Sequence, residues 1–391
     1  IDYHDPLMLA VAFIAGLAFY RIGLPPLVGF LAAGFALGAM GAESTPLLSE
    51  LADLGVTLLL FTIGLKLRVR SLLKPEIWGV ATFHMLITVA VFSAILAGLG
   101  TTGLALFAGM DLTTAFIVAF SLSFSSTVFA VKTLDADGQT GSRFGRIAIG
   151  VLIIQDIAAV VFLAASGGKL PSVWALSLFG LLLLRKPILA LLKKSGHGEL
   201  QILIGFVLAL GGAQLFEMFN LKGDLGALFI GVLIAGNPCS DDIAKTLLGF
   251  KELFLVAFFL SIGLAGLPTG EILITGIVLL LLIPFKIALF YWLFASFRLM
   301  ATTANRASLI LANYSEFGLI VAAIAVNAGW LSSEWMLVDA IALSLSFVIA
   351  SVINTNPNQV FISLKGFLKS FEKPNRLPED EPIELGDARI L

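Results

Sequence analysis

RIAIGVLIIQDIAAVVFLAA, residues 146–165, sets a carboxylate in the middle of an apolar run long enough to cross a bilayer. An ionised Asp at a helix centre costs roughly 2.5–3.5 kcal/mol even on lenient scales. Such a group faces a water-filled cavity or a partner, and it marks a functional site by default. Asp156 is that group. Gln155 beside it adds an amide able both to donate and to accept hydrogen bonds.

The surrounding chain has the composition of a membrane protein. Of its 391 residues, 59% are hydrophobic and 13% charged, whereas a soluble domain carries about 25% charged residues. Helices satisfy their own backbone groups in lipid, so the expected class is an all-α protein whose partner is the lipid bilayer. A net charge of −2 gives no footprint for nucleic acid. The single cysteine, Cys239, makes no internal disulfide and no metal spacing. No nucleophile–base pair or nucleotide loop appears, and neither an enzymatic activity nor a cofactor is expected of this chain. The first apolar run lacks a basic flank and reads as a span rather than a cleaved signal. Because the numbering starts at Ile1, a short preceding piece is expected.

Apolar runs predict about thirteen spans, near residues 7–22, 25–41, 50–66, 76–98, 111–132, 144–166, 172–192, 199–219, 224–238, 249–266, 271–297, 304–328 and 333–354. Residues 1–355 form the transmembrane domain and 356–391 a cytoplasmic linker and tail. Basic residues test the count. With thirteen spans, the Lys and Arg collect in alternate loops; of the 24, only Lys169, Lys222 and Lys286 fall elsewhere. The N-terminus is thereby expected outside and the C-terminus in the cytoplasm.

Two segments recur in the second half. Gly29-FLAA-Gly34 matches Gly226-ALFI-Gly231 at an offset of 197, and Gly64 in FTIGL matches Gly263 in LSIGL at 199. The matched segments lie seven spans apart and so cross the membrane in opposite directions. Spans 1–6 and 8–13 are therefore read as inverted repeats with span 7 as linker, the architecture of secondary transporters with broken helices at the midplane. SLSFSSTVF in span 5 and LILANYSEF in span 12 are related by a similar shift and place polar residues at membrane depth. Ser125, Ser126 and Thr127 are expected to break one helix, and Asn313, Tyr314, Ser315 and Glu316 the other. The two breaks would cross, with Asn313, Ser315 and Glu316 stabilising them and Arg306 assisting Glu316.

Lys286, just after the helix-kinking Pro284, is the opposite charge available to Asp156 at depth. His84 reads as a packed interior histidine, Asp339 as an interface residue near the outer surface, and Asp111 as a helix cap.

SST at 125–127, QDIAA at 155–159 and SEF at 315–317, in that order, with FTIGLKL at 61–67 and the Lys286 segment, resemble the CPA2 monovalent cation–proton antiporters. Within that group the chain is most similar to the Kef-type, glutathione-gated potassium–proton antiporters of bacteria. The resemblance covers about residues 7–355. It implies a homodimer in the inner membrane, with a dimerisation domain and a mobile core, and an ion site holding K⁺ or H⁺ at Asp156 with Gln155, Ser125, Ser126 and Thr127. It also implies that Lys286 pairs with the aspartate. One acid, where electrogenic sodium–proton relatives typically carry two, suggests electroneutral exchange of K⁺ for H⁺. A Na⁺/H⁺ exchanger of the same fold and a ligand-gated K⁺ efflux channel are the alternatives. The chain departs from the Kef pattern at Lys66, where GLEL is usual, and at Asn313–Ser315. The cytoplasmic nucleotide- and glutathione-binding regulatory domain of that type has no counterpart in these residues.

Overall fold

The computed structural model describes residues 4–24, 26–66, 73–103, 105–166, 180–196, 198–219, 223–264, 266 and 268–373. Its helices, in chain order, are α1 (His4–Arg21), α2 (Pro26–Ala39), α3 (Pro46–Lys66), α4 (Pro75–Leu99), α5 (Leu112–Ser123), α6 (Thr127–Ala136), α7 (Arg143–Ala165), α8 (Arg185–Ser195) and α9 (Glu199–Met218). They continue with α10 (Gly223–Ile234), α11 (Pro238–Leu264), α12 (Gly270–Leu280), α13 (Ile283–Ser296), α14 (Ala301–Ile310), α15 (Glu316–Asn327), α16 (Ser333–Thr355) and α17 (Pro357–Lys369).

Local chemistry starts these helices where the sequence changes character. Proline, which has no N–H to leave unpaired, opens α2, α3, α4, α11 and α17. Asp111 caps α5 by accepting from the Thr114 amide at 3.0 Å, as expected of it, and Ser142 and Thr269 cap α7 and α12 in the same way.

Among the described residues, eight segments are long and apolar enough to cross a membrane, two of them made of consecutive helices; four shorter apolar helices accompany them. Together they account for every expected span except the seventh, 172–192, whose residues 172–179 lie outside the described residues and whose remainder includes the start of α8. Residues 374–391 of the expected tail also lie outside the described residues. The protein is an all-helical, multi-pass membrane protein.

Packing sorts the helices into two groups. α1, α2, α3, α9, α10 and α11 lie against one another, and α4–α7 pack with α12–α16; the two groups meet where α16 lies against α2 and α11 and through an apolar cluster in which Leu59, Leu60 and Ile63 of α3 pack with Phe124, Ala159 and Phe317. Within the first group the seams are made of glycine. A Cβ on Gly34 of α2 would lie 2.7 Å from the Gly263 Cα of α11, and one on Gly64 of α3 would lie 2.9 Å from the Gly231 Cα of α10. These two contacts exchange the partners that the sequence offsets relate, as an internal two-fold requires. The relation extends to α1 and α9: a Cβ on Gly29 would meet Gly16 at 2.7 Å, and one on Gly226 would meet the Gly212 carbonyl. Helices approach this closely only where the side chain is absent.

Candidate functional site

Spans 5 and 12 are broken, as their polar clusters predict. Phe124–Ser126 interrupt α5 and α6, and Leu311–Ser315 interrupt α14 and α15. In each break the backbone leaves helical N–H and C=O groups without their usual partners, and a bilayer interior requires that they be satisfied within the protein. The two breaks satisfy each other. The Ser125 hydroxyl donates to the Leu311 carbonyl at 2.9 Å. The Ser126 amide donates to Asn313 Oδ1 at 2.7 Å, while Asn313 Nδ2 returns to the Ile310 carbonyl at 2.9 Å.

Two buried charge-bearing side chains sit at the helix ends they suit. Glu316, the first residue of α15, accepts from the Ser126 hydroxyl at 2.8 Å through Oε2, and Ser126 Oγ itself accepts from the Phe129 amide at the start of α6. A carboxylate thus stands at the N-termini of α6 and α15, where helix dipoles favour negative charge. Ser315 caps the same end of α15, its hydroxyl accepting from the Phe317 amide at 3.1 Å.

Lys286 does the converse. Its Nζ donates to the carbonyls of Leu122 at 3.2 Å, Asn313 at 2.8 Å, and Phe124, at the C-terminal ends of α5 and α14. An ammonium has three N–H donors, and these three carbonyls match them in number. The Tyr314 ring lies beneath the ammonium, 5.2 Å from Nζ to the centroid. The expected role of Lys286 was a charge partner for Asp156; the contacts found for its Nζ are with backbone at both breaks.

Gln155 and Asp156 approach the first break from α7. Gln155 Oε1 accepts from the Ser125 amide at 2.9 Å and Nε2 donates to the Ser123 carbonyl at 3.4 Å, so one amide spans the gap between α5 and α6. Asp156, 1% exposed, accepts from the Thr127 hydroxyl through Oδ2 at 3.3 Å. Of the three hydroxyls expected around the aspartate, Ser125 and Ser126 point to Leu311 and Glu316, and Thr127 is the one that meets the carboxylate. Asp156 lies 13 residues into α7, about 20 Å along it at 1.5 Å per residue, close to its midpoint.

A cavity of about 590 Å³ opens between the two helix groups. Phe30, Lys132, Glu252, Phe347 and Asn354 line it, and it reaches Glu316. Lys132 of α6 and Glu252 of α11 pair across it at 3.2 Å. Both are well exposed, so the pair contributes little stability.

Two further expectations change and one holds. Arg306 does not assist Glu316: its guanidinium donates to Asn358 Oδ1 at 2.8 Å and lies over the Phe144 ring, because α14 carries it away from the break. Asp339 is no interface residue; it is 4% exposed and 2.6 Å from Ser121 Oγ. His84 is interior as expected, stacked on Phe290 with ring centroids 3.4 Å apart.

Sequence reasoning also missed what supports the site. Tyr314 donates from its amide side to Ser346 Oγ at 3.0 Å and from its hydroxyl to the Leu279 carbonyl at 2.6 Å. Leu279 lies in the last turn of α12, where Pro284 ends the helical ladder. Serine at position 346 was the visible signal, a hydroxyl inside the apolar run of α16.

Comparison with known proteins bears on the family and the fold. Glutathione-regulated potassium-efflux system protein KefC from Enterobacter sp. (strain 638) is 29% identical over 363 residues, which cover 85% of this chain and 56% of that protein. KefC from Salmonella heidelberg (strain SL476) is 30% identical over 359 residues, covering 83% and 55%. The chain thus spans a little over half the length of these curated relatives. In fold it is similar to the sodium proton antiporter MjNhaP1 of Methanocaldococcus jannaschii, with a TM-score of 0.62, 12% identity, and coverage of 93% of this chain and 96% of that one. Residues 9–355 match the family described as sodium/hydrogen exchanger, transmembrane, and the chain belongs to that family.

Proposed function

We propose that the chain exchanges a monovalent cation, K⁺ in preference to Na⁺, for H⁺ at Asp156 by alternating access. The observation that carries this reading is a buried carboxylate in mid-membrane, hydrogen-bonded to the first residue of a broken half-helix. Backbone freed from helical bonding at such a break can replace part of an ion's hydration shell. Asp156 and Thr127 supply oxygen ligands in this scheme, while Gln155, Ser125, Ser126, Asn313, Ser315 and Glu316 hold the shape around them. Lys286 keeps the carbonyl-rich ends of α5 and α14 electrostatically balanced and adds a positive field to the site.

Asp156 takes either a proton or a dehydrated cation. Neutralised by one of them, it can pass the apolar barrier; a bare carboxylate pays the penalty of charge in lipid. That difference couples the two ions. One carboxylate carrying one charge in each direction makes the exchange electroneutral. Preference for K⁺ draws on the relatives named as potassium-efflux proteins. The proposal extends to a homodimer in the bacterial inner membrane, N-terminus outside and C-terminus cytoplasmic, with a nucleotide- or glutathione-binding regulatory domain as the cytoplasmic partner.

Proton flux in proteoliposomes, titrated with K⁺, Na⁺, Rb⁺ and Li⁺, tests the reading. Saturable cation-driven flux is expected, largest with K⁺, unaffected by membrane potential and abolished in Asp156→Asn. Single-channel currents in place of saturable counter-flux would overturn it in favour of a channel, and equal flux in the variant would remove Asp156 from the mechanism.

A further inference from the structure

Asp339 carries a further carboxylate into the apolar interior, apart from Asp156 and Glu316. Its Oδ2 lies 2.6 Å from Ser121 Oγ, and its Oδ1 has no hydrogen-bond partner in the protein. The Ser121 hydroxyl also lies 2.8 Å from the Val118 carbonyl. A hydroxyl has one proton to donate and two lone pairs to accept with, so Ser121 cannot donate to both neighbours at once. If Asp339 is ionised, Ser121 turns its proton to the carboxylate. If Asp339 is protonated, its own O–H donates to Ser121 Oγ and the Ser121 proton goes to Val118. The same heavy-atom positions serve both states. Burial of the ionised form with one oxygen unsatisfied is the costly one.

The pair is built into the broken-helix region. Ser121 lies in the last turn of α5, which ends at the carbonyls held by Lys286. The α15 backbone presses on it from the other side, since a Cβ on Gly318 would lie 2.4 Å from the Ser121 carbonyl oxygen. Along α16, Asp339 precedes Ser346 by seven residues, about 10 Å, and Ser346 marks the level of the second break. Asn354 and Thr355, lining the cavity, lie beyond it in the opposite direction. Asp339 is therefore on the far side of the breaks from that cavity.

Few charges compete with it. The Tyr314 hydroxyl is held by the Leu279 carbonyl, with Lys286 over the same ring. On the other elements packed against α16, Glu316 is held by Ser126, Arg306 by Asn358, and Lys132 and Glu252 by each other. Lys251 is buried in α11, while Asp241, Asp242 and Lys245 lie toward the start of that helix, away from the breaks. Lys365 and Lys369 sit on α17, which follows the Thr355 end of α16. Glu271 is exposed at the start of α12, as is Glu334 on α16 itself. α2 and α5 contribute no charged residue.

We propose that Asp339, with Ser121, is a second proton-binding site, separate from Asp156 and reached from the membrane face opposite the cavity. Proton binding here stands independently of the exchange reading; its use in transport rests on that reading. Infrared difference spectroscopy of the purified chain in lipid, titrated with acid and without a cation gradient, tests it. A protonated-carboxyl stretch is expected that survives in Asp156→Asn and Glu316→Gln and vanishes in Asp339→Asn. Ser121→Ala should keep that band and move its frequency, because the carboxyl loses the oxygen to which it donates. An unchanged spectrum in Asp339→Asn, or an unmoved band in Ser121→Ala, would overturn the proposal. Failure of the exchange reading would show instead as undiminished flux in Asp156→Asn, with the infrared assignment intact.

Discussion

The Ser126 hydroxyl donates to Glu316 Oε2 at 2.8 Å, tying the cap of one half-helix to the first residue of the other. Because Ser126 also caps the Phe129 amide, a single hydroxyl couples the two breaks. Ser126→Ala is expected to destabilise the protein by about 1.5–3 kcal/mol, the range for hydrogen bonds to charged groups. Thermal unfolding in detergent checks this, and an unchanged midpoint would mean the two breaks hold independently.

Lys286→Met leaves the carbonyls of Leu122, Phe124 and Asn313 without their buried donor. At about 1–3 kcal/mol for each unsatisfied group, the loss should exceed that of Ser126→Ala. Lys286→Arg keeps the charge and should recover part of it. The pH profile of flux is expected to shift in the methionine variant, because the positive field near the ion site is gone. A stability equal to wild type would show that the carbonyl contacts are dispensable.

Gly34→Ala is expected to cost about 1–3 kcal/mol by overpacking, since the new Cβ would lie 2.5 Å from the Leu260 carbonyl oxygen. Gly249→Ala provides the contrast. It lies within α11 with nothing inside 4 Å of its Cβ position, so it should gain up to about 1 kcal/mol of helix propensity. Equal effects at both positions, measured by unfolding temperature, would contradict the close-seam interpretation.

Asp111 is the surface group whose titration is expected to be felt. Its hydrogen bonds with Thr114 hold its carboxyl below the ordinary aspartate value. A lowered folded-state value means that the cap stabilises α5 above the unfolded-state pKa and loses its contribution as pH falls through the folded one. Asp111→Asn should flatten that acid dependence while keeping a capping oxygen, and proton NMR of the Thr114 amide against pH reports it directly.

Much of this site was legible because lipid makes polarity expensive. Asp156, Lys286, Glu316 and the serine clusters stood out against an apolar background, and the glycine offsets exposed the repeat before any contact was known. What stayed hidden were backbone partners. Nothing in the residue types announces that Lys286 will meet the carbonyls of Leu122, Phe124 and Asn313, since every residue carries a carbonyl. Arg306 was misjudged because sequence nearness to Glu316 says nothing of direction once the helix between them is broken. Asp339 was misjudged for the opposite reason: proximity to a helix start suggested water, whereas α5, α12 and α15 cover it.

The paired glycine seams constrain how the molecule can move. Where backbone lies on backbone, sliding one helix by a turn would bring a side chain into a space that holds none. α2, α3, α10 and α11 therefore form a stator with no register to shift into. Because the internal two-fold exchanges the Gly34–Gly263 and Gly64–Gly231 contacts, this stator offers equivalent bearings toward both membrane faces. In the exchange proposed above, the stroke would then fall to the boundary between the two helix groups, as a rigid displacement of the helices that carry Asp156.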